Sequence, residues 1–233
     1  TIWDTENARR VMEMDHEAPV QAAAWSPNSQ KVLTASGAEL YVWDVNTRQL
    51  NRTLEHPGGA DLVMWNADGT RFLSADQETV MIWDTLSWNA VGTIELDGAR
   101  IAAAWNANGT LVMTASGSQV QLWNAFSGTL INTLDHDAPL TSASFNPAST
   151  RILTTSGSSL YIWNASSYQQ ELAAEYSGPL DHGAWLENLS RGVRKVLATS
   201  GSTAVVWNAV NGDLLLELDH GAPVERVSGS PLG

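Results

Sequence analysis

The chain has no cysteine, few basic residues and no long apolar run. The first absence excludes disulfides, thiolate zinc sites and a cysteine nucleophile, and leaves the compartment open, with a cytoplasmic setting the expectation. Twelve Lys and Arg against twenty-five Asp and Glu leave a net charge of −13. That balance argues against nucleic acid, because phosphate binding needs clustered cations. No stretch approaches eighteen apolar residues, so no membrane span and no membrane partner are expected. No basic-then-apolar leader opens these 233 residues. Helical periodicity is missing as well: no window carries a convincing apolar stripe at helical spacing. A hydrophobic fraction of 43% can still build a real core.

What the chain has in excess is tryptophan, eleven in all. Six are followed by Asp or Asn in one register: Trp3, Trp43, Trp83, Trp123, Trp163 and Trp207. The spacing is 40 residues, stretched to 44 in the fifth interval. Thirteen residues after these tryptophans stand His16, His56, Leu96, His136, Tyr176 and His220. Twenty-two residues after them stand Trp25, Trp65, Trp105, Phe145 and Trp185. Three markers in one register define an internal repeat. The four extra residues fall near Glu187–Arg194, where a loop absorbs them.

Within one copy the pattern reads as four short strands: Val20–Trp25, Lys31–Ser36, Leu40–Trp43 and Gln49–Leu54. Each ends at a turn cluster of Ser, Pro, Asn, Asp or Gly. One such sheet cannot cover both faces alone. Stacked copies cover each other, and wide indoles at one strand position fit between adjacent sheets. Residues 1–233 therefore read as one all-β domain.

This arrangement resembles the WD-repeat β-propellers over essentially the whole chain. The resemblance implies six blade positions of four-stranded antiparallel sheets. It also implies a buried relay from His through a Ser or Thr hydroxyl to the Trp indole. The matching hydroxyls are Thr34, Ser74, Thr114 and Thr154, and the matching indoles are Trp43, Trp83, Trp123 and Trp163. The turn Asp of that relay survives only as Asp76; Ser36, Ser116, Ser156 and Ser200 hold the equivalent positions. A carboxylate beside the imidazole, as in Asp135-His136, is the expected substitute acceptor.

The last copy holds no counterpart of Gln30–Leu40, the second strand of a blade. The sixth blade is thus expected to be shared by the chain termini and to lack that strand. Thr1–Asp15 would supply its outer pair and Pro223–Ser228 its inner strand. Three outcomes stand open: a segment of a longer repeat protein, imperfect closure, or self-association through the open edges.

Catalytic signals are sparse. Four of the five histidines sit at the repeat position; His182 alone does not. No phosphate-binding glycine loop and no zinc-type histidine pair is present, so no cofactor, metal or catalytic residue is expected. The expectation is a non-catalytic scaffold or recognition module that binds a protein or peptide partner, basic in character, on a loop face. Glu17, Asp61, Asp97, Asp137 and Asp181, interrupted by Arg100, mark the loops between fourth and first strands. Trp88, outside the core register, marks the opposite face as an interface anchor or as rim packing. The alternatives are a self-assembling array, a piece of a larger signalling or sensor protein, and an enzyme using Asp181 and His182 as an acid–base pair.

Overall fold

The computed structural model describes residues 1–186, 194–225 and 227. All regular elements among them are strands. The chain forms two compact units by contact. The first comprises Thr1–Leu96 with Asn108–Thr110 and Asn124–Thr129. The second comprises Asp97–Ala107, Leu111–Trp123 and the chain from Leu130 onward.

The first unit opens with a two-stranded sheet, β1 (Ile2–Asp4) and β2 (Arg9–Met12). Two four-stranded sheets follow. One holds β3 (Val20–Trp25), β4 (Lys31–Ser36), β5 (Glu39–Asp44) and β6 (Gln49–Glu55). The other holds β7 (Leu62–Trp65), β8 (Arg71–Ala75), β9 (Thr79–Asp84) and β10 (Ala90–Glu95). The second unit repeats the plan three times. Its sheets are β11 (Arg100–Trp105) to β14 (Leu130–Asp135), β15 (Leu140–Phe145) to β18 (Gln170–Glu175), and β19 (His182–Trp185) to β22 (Leu214–Asp219). Each sheet is an antiparallel meander in chain order. The strands expected from the first full copy are those observed, within one residue at each end.

The Trp-Asp/Asn dipeptide has a local cause. The residue after each Trp caps the turn that follows, accepting backbone amides on its side-chain oxygen. Asp84 accepts from Leu86 and Ser87 N–H, and Asn124 from those of Phe126 and Ser127, all at 2.8–3.2 Å. Asn164 does the same for Ser166 and Ser167. Asp and Asn interchange here because only the acceptor oxygen is used. The turn then passes through a left-handed residue: Arg48, Trp88 and Tyr168 in three copies, Gly128 and Gly212 in two. Gly128 is also required by space, since a Cβ would meet Val91 O at 2.6 Å and Gly92 Cα at the same distance.

In four of the five four-stranded sheets the second strand is the most buried; in β19–β22 it is the third. Leu33, Leu73, Met113 and Leu153 are fully enclosed. Between β3–β6 and β7–β10, Leu40, Val42, Val63 and Trp65 pack with Phe72 and Trp83. The two-stranded sheet packs on β4 and β5 through Met12, Val32, Tyr41 and Trp43.

Two expectations fall wholly or partly outside the described residues. Of the inner strand placed at Pro223–Ser228, the described residues Pro223, Val224, Glu225 and Val227 lie in no strand. Val224 N–H donates to Gly201 O, as Leu140 does to Gly117 O and Leu180 to Gly157 O just ahead of or at the start of a strand. The approach to a strand is therefore made; Arg226 and Ser228 lie outside the described residues. So does most of the insertion near Glu187–Arg194.

Candidate partner-binding faces

The buried relay forms in three copies. In the first, Trp43 Nε1 donates to Thr34 Oγ1 at 3.0 Å and His16 Nε2 bonds the same hydroxyl at 2.7 Å. In the second, Trp83 Nε1 and His56 Nδ1 share Ser74 Oγ, each at 2.9 Å. Trp163 and His136 share Thr154 at 3.1 and 2.8 Å. Where Leu96 replaces His, the Trp123–Thr114 bond alone remains, at 3.0 Å.

The second ring nitrogen fixes each tautomer, because carbonyls and carboxylates only accept. His16 Nδ1 donates to Met14 O, and His136 Nδ1 to Ser118 O. Both rings therefore accept the hydroxyl proton at Nε2. His56 is turned over: its Nε2 donates to Asp76 at 3.4 Å and its Nδ1 accepts from Ser74. Asp135 is thus not the substitute acceptor for His136. It accepts instead from Gln119 Nε2 at 2.8 Å, and the nearer backbone carbonyl takes the imidazole proton. Burial pushes His56 and His136 below the ordinary imidazole value; the Asp76 charge offsets part of this for His56. Gly58 lets Asp76 approach, since a Cβ there would lie 1.9 Å from its carboxylate. These groups hold structure; His16 and Thr34 of the first relay also line a 380 Å³ groove.

Loops from fourth to first strands and the turns from second to third strands lie at one end of each sheet. Backbone bonds tie them: His56 N–H to Ala38 O, His136 N–H to Ser118 O and His220 N–H to Ser202 O. In the first unit this end carries Glu17 and Asp61, both exposed. In the second it carries Asp97, Asp137 and Asp181, all exposed, with Arg100 half-buried. Asp61 accepts from Gln77, and Asp181 from Gly201 N–H. One oxygen of Asp181 thus ties its loop to the turn between β20 (Lys195–Ser200) and β21 (Thr203–Asn208), and no hydrogen bond joins it to exposed His182 among the described residues.

A more regular feature is read at Asp15, Glu55, Asp135 and Asp219 only as a carboxylate beside the repeat His, and its recurrence at Glu95 and Glu175 goes unnoted. The fourth strand of every copy ends at, or is followed by, an exposed carboxylate: Asp15, Glu55 and Glu95 in the first unit, Asp135, Glu175 and Asp219 in the second. The signal was present twelve residues after each register Trp.

At the opposite end Trp88 is half-buried. Its ring packs on Phe72 at 6.4 Å and borders a 100 Å³ pocket with Lys31, Trp65 and Asp68. The more exposed apolar groups there are Leu86 and Phe126, in the first unit. Each is the residue whose amide the turn cap holds, which sends its side chain outward. Arg71 lies over the Phe126 ring, 4.3 Å from its centre, and pairs with Asp84 at 3.6 Å. In the second unit a 520 Å³ hollow is bordered by β11 and β15, lined by Ala102, Ala104 and Ser144 among others. Among the described residues, no group of three or more His, Asp or Glu could hold a metal.

Meandering sheets on a 40-residue period, with register indoles and Asp/Asn-capped turns, define the WD-repeat β-propeller class, here with six blade positions. Residues 128–164 match the family model described as WD domain, G-beta repeat. Residues 2–138 match the model described as eukaryotic translation initiation factor eIF2A, more than half of the chain. The chain belongs to that family of WD-type propellers. No curated protein matches it by sequence. Among solved structures, a chain of "Crystal Structure of Mitotic Checkpoint Complex" is similar at TM-score 0.70 and 18% identity, covering 98% of this chain and 74% of that one. A chain of "Structure of U3-55K" is similar at TM-score 0.62 and 16% identity, covering 91% and 67%. Such identities show the fold alone. Propellers of this class typically act as protein-interaction scaffolds and are typically not enzymes.

Proposed function

We propose that the chain is a non-catalytic interaction scaffold that binds a basic or hydrogen-bonding peptide at the end of the sheets where fourth strands lead into first strands. The observation that carries this is the exposed carboxylate at the end of every fourth strand, joined by Glu17, Asp61, Asp97, Asp137 and Asp181. Fixed loops on rigid sheets hold these charges in place without ordering cost at binding. Such a surface favours cationic partners and quickens their encounter. Partner capture by the wild-type chain, compared with Asp61→Lys/Asp137→Lys/Asp181→Lys, tests it. Partners should be lost from the variant, and an identical partner set ends the reading.

The match over residues 2–138 favours a second reading, a place among translation initiation factors. With a net charge of −13 such contacts would run through basic protein surfaces rather than nucleic-acid phosphates. Co-sedimentation with ribosomal subunits, weakened by the same charge reversal, is the expected result.

A further inference from the structure

Two turns of the molecule contain Asn followed by Gly, and the fold treats them differently. One is Asn108-Gly109, in the turn after β11; the other is Asn211-Gly212, in the turn before β22. Both asparagines are exposed. Asn-Gly is open to loss of the side-chain amide, because no Cβ hinders attack by the glycine nitrogen on the asparagine Cγ. At Asn108 the carboxamide oxygen receives two donors, the Thr110 hydroxyl at 2.7 Å and the Thr110 N–H at 3.2 Å. The Gly109 N–H donates to no acceptor among the described residues. At Asn211 the pattern reverses. The Gly212 N–H donates to Asn208 O at 2.9 Å, and Asn211 Nδ2 donates to the Asp213 carboxylate at 2.6 Å. Among the described residues a single donor, the Asp213 N–H at 3.2 Å, reaches the Asn211 oxygen.

We infer that Asn108 is a self-modifying site, at which the folded chain deamidates its own side chain to a carboxylate. The Gly109 nitrogen gives its proton to hydroxide and attacks Cγ of Asn108. The charge that develops on Oδ1 falls on the two Thr110 donors, which stabilise it as an oxyanion pocket does. The five-membered imide closes as ammonia leaves, taking a proton from water and returning the hydroxide. Water then adds at Cγ, the Cγ–N bond breaks, and Asp stands at position 108. Addition at the backbone carbonyl instead gives the isoaspartyl linkage. Either way one water is consumed and one ammonia released. The molecule already displays the first product. Asn66-Ala67-Asp68-Gly69-Thr70 is the same turn one copy earlier, and differs from Asn106-Ala107-Asn108-Gly109-Thr110 only at its third residue. Asp68 accepts from the Thr70 hydroxyl at 2.6 Å and the Thr70 N–H at 2.8 Å, the same two bonds. Those bonds hold its carboxyl below the ordinary value, so the carboxylate is at home there. The isoaspartyl product adds a methylene to the backbone beside Gly109, where a Cβ would already lie 2.9 Å from Asn66 Nδ2. The fold therefore admits the aspartate and resists its isomer.

The full chain, folded and in urea, is held at mildly alkaline pH, and peptide mass mapping follows the change from amide to acid at each site. In the folded chain Asn108 should convert about tenfold faster than Asn211, the worth of one hydrogen bond in the transition state. In urea both are plain Asn-Gly, and the two rates should converge. Thr110→Val should slow Asn108 about tenfold in the folded chain and leave its rate in urea unchanged. Asp68→Asn tests the same pair of donors on a turn that is already formed. It should return to Asp by itself, more slowly than Asn108 converts, since the Gly69 N–H donates to Asn66 O at 3.2 Å. Asn108→Asp should co-migrate with the product in charge separation and melt with the wild-type chain. Equal rates at Asn108 and Asn211 in the folded chain overturn the proposal. So does a folded Thr110→Val chain that converts as fast as wild type, or an Asp68→Asn chain that keeps its amide. An Asn108→Asp chain that melts well below wild type overturns the fit of the product.

Discussion

Trp65 and Trp25 sit at one register position on neighbouring sheets of the same unit, yet the first is 9% exposed and the second 49%. Leu134 and Leu218 repeat the contrast in the other unit, at 2% and 45%. The members of each pair hold the same strand position in their copies. Among the described residues, a neighbouring sheet covers Trp65 and Leu134 and none covers Trp25 and Leu218. A repeat of this kind therefore stores its stability in interfaces between copies, and a residue's worth is set by what lies across from it.

Substitutions can break or sharpen that contrast. The largest difference is expected for the indoles. Trp65→Ala should cost about 3–5 kcal/mol, whereas Trp25→Ala should cost about 1 kcal/mol. Leu134→Ala and Leu218→Ala should differ in the same direction. Urea denaturation of each variant measures all four, and equal losses within a pair would remove the argument.

Next come the relays. Ser74→Ala takes the shared hydroxyl from both Trp83 and His56, leaving two buried groups unsatisfied, at a cost of about 2–3 kcal/mol. Thr114→Val removes one bond and keeps the shape, at about 1 kcal/mol. Chemical denaturation at neutral pH should separate the two.

Glycine substitution gives a smaller contrast. Gly128→Ala meets Val91 O at 2.6 Å and also requires a left-handed alanine, so it should cost about 2 kcal/mol or more. Gly201→Ala, with φ of +56° and open space around it, should cost only about 1 kcal/mol. A thermal melt showing the two equally destabilised would place the whole effect in the backbone angle.

The smallest effect is the pH dependence. His56 and His136 are held below the ordinary imidazole value, so the unfolded chain takes up protons first as pH falls. Their contribution is complete above about pH 6.5 and declines as pH drops towards the native values, because the unfolded state then binds more protons. Asp76→Asn removes the charge that raises His56 and should steepen the decline; Asp135→Asn should leave the His136 bonding intact. Imidazole NMR titration with urea midpoints at two pH values gives the test.

Much of the fold was legible because its determinants are local and repeated. Turn clusters bound the strands, and the register Trp, His and hydroxyl positions fixed the relay members. Less legible were features set by which atom lies closest. Asp135 adjoins His136 in sequence, but the Ser118 carbonyl reaches the ring. Leu86 and Phe126 were hidden because the sequence does not say which side chain a capped turn sends outward. The exposed carboxylate ending each fourth strand was readable throughout, and was obscured by the scattered acids of the loops. Trp25 and Trp3 looked like core residues by spacing. Spacing reports strand position; what covers that position depends on another stretch of chain.

The relays carry one more consequence, for proton traffic. In the His136 copy the Trp163 hydrogen points at the Thr154 oxygen, the Thr154 hydrogen points at the imidazole, and the imidazole hydrogen points at a carbonyl. The chain runs one way. An extra proton on that ring would aim a second donor at an oxygen already receiving one, and the hydroxyl would have to turn its own hydrogen away from the ring. Acid would then act as a jam in a one-way line, beyond the cost of burying charge.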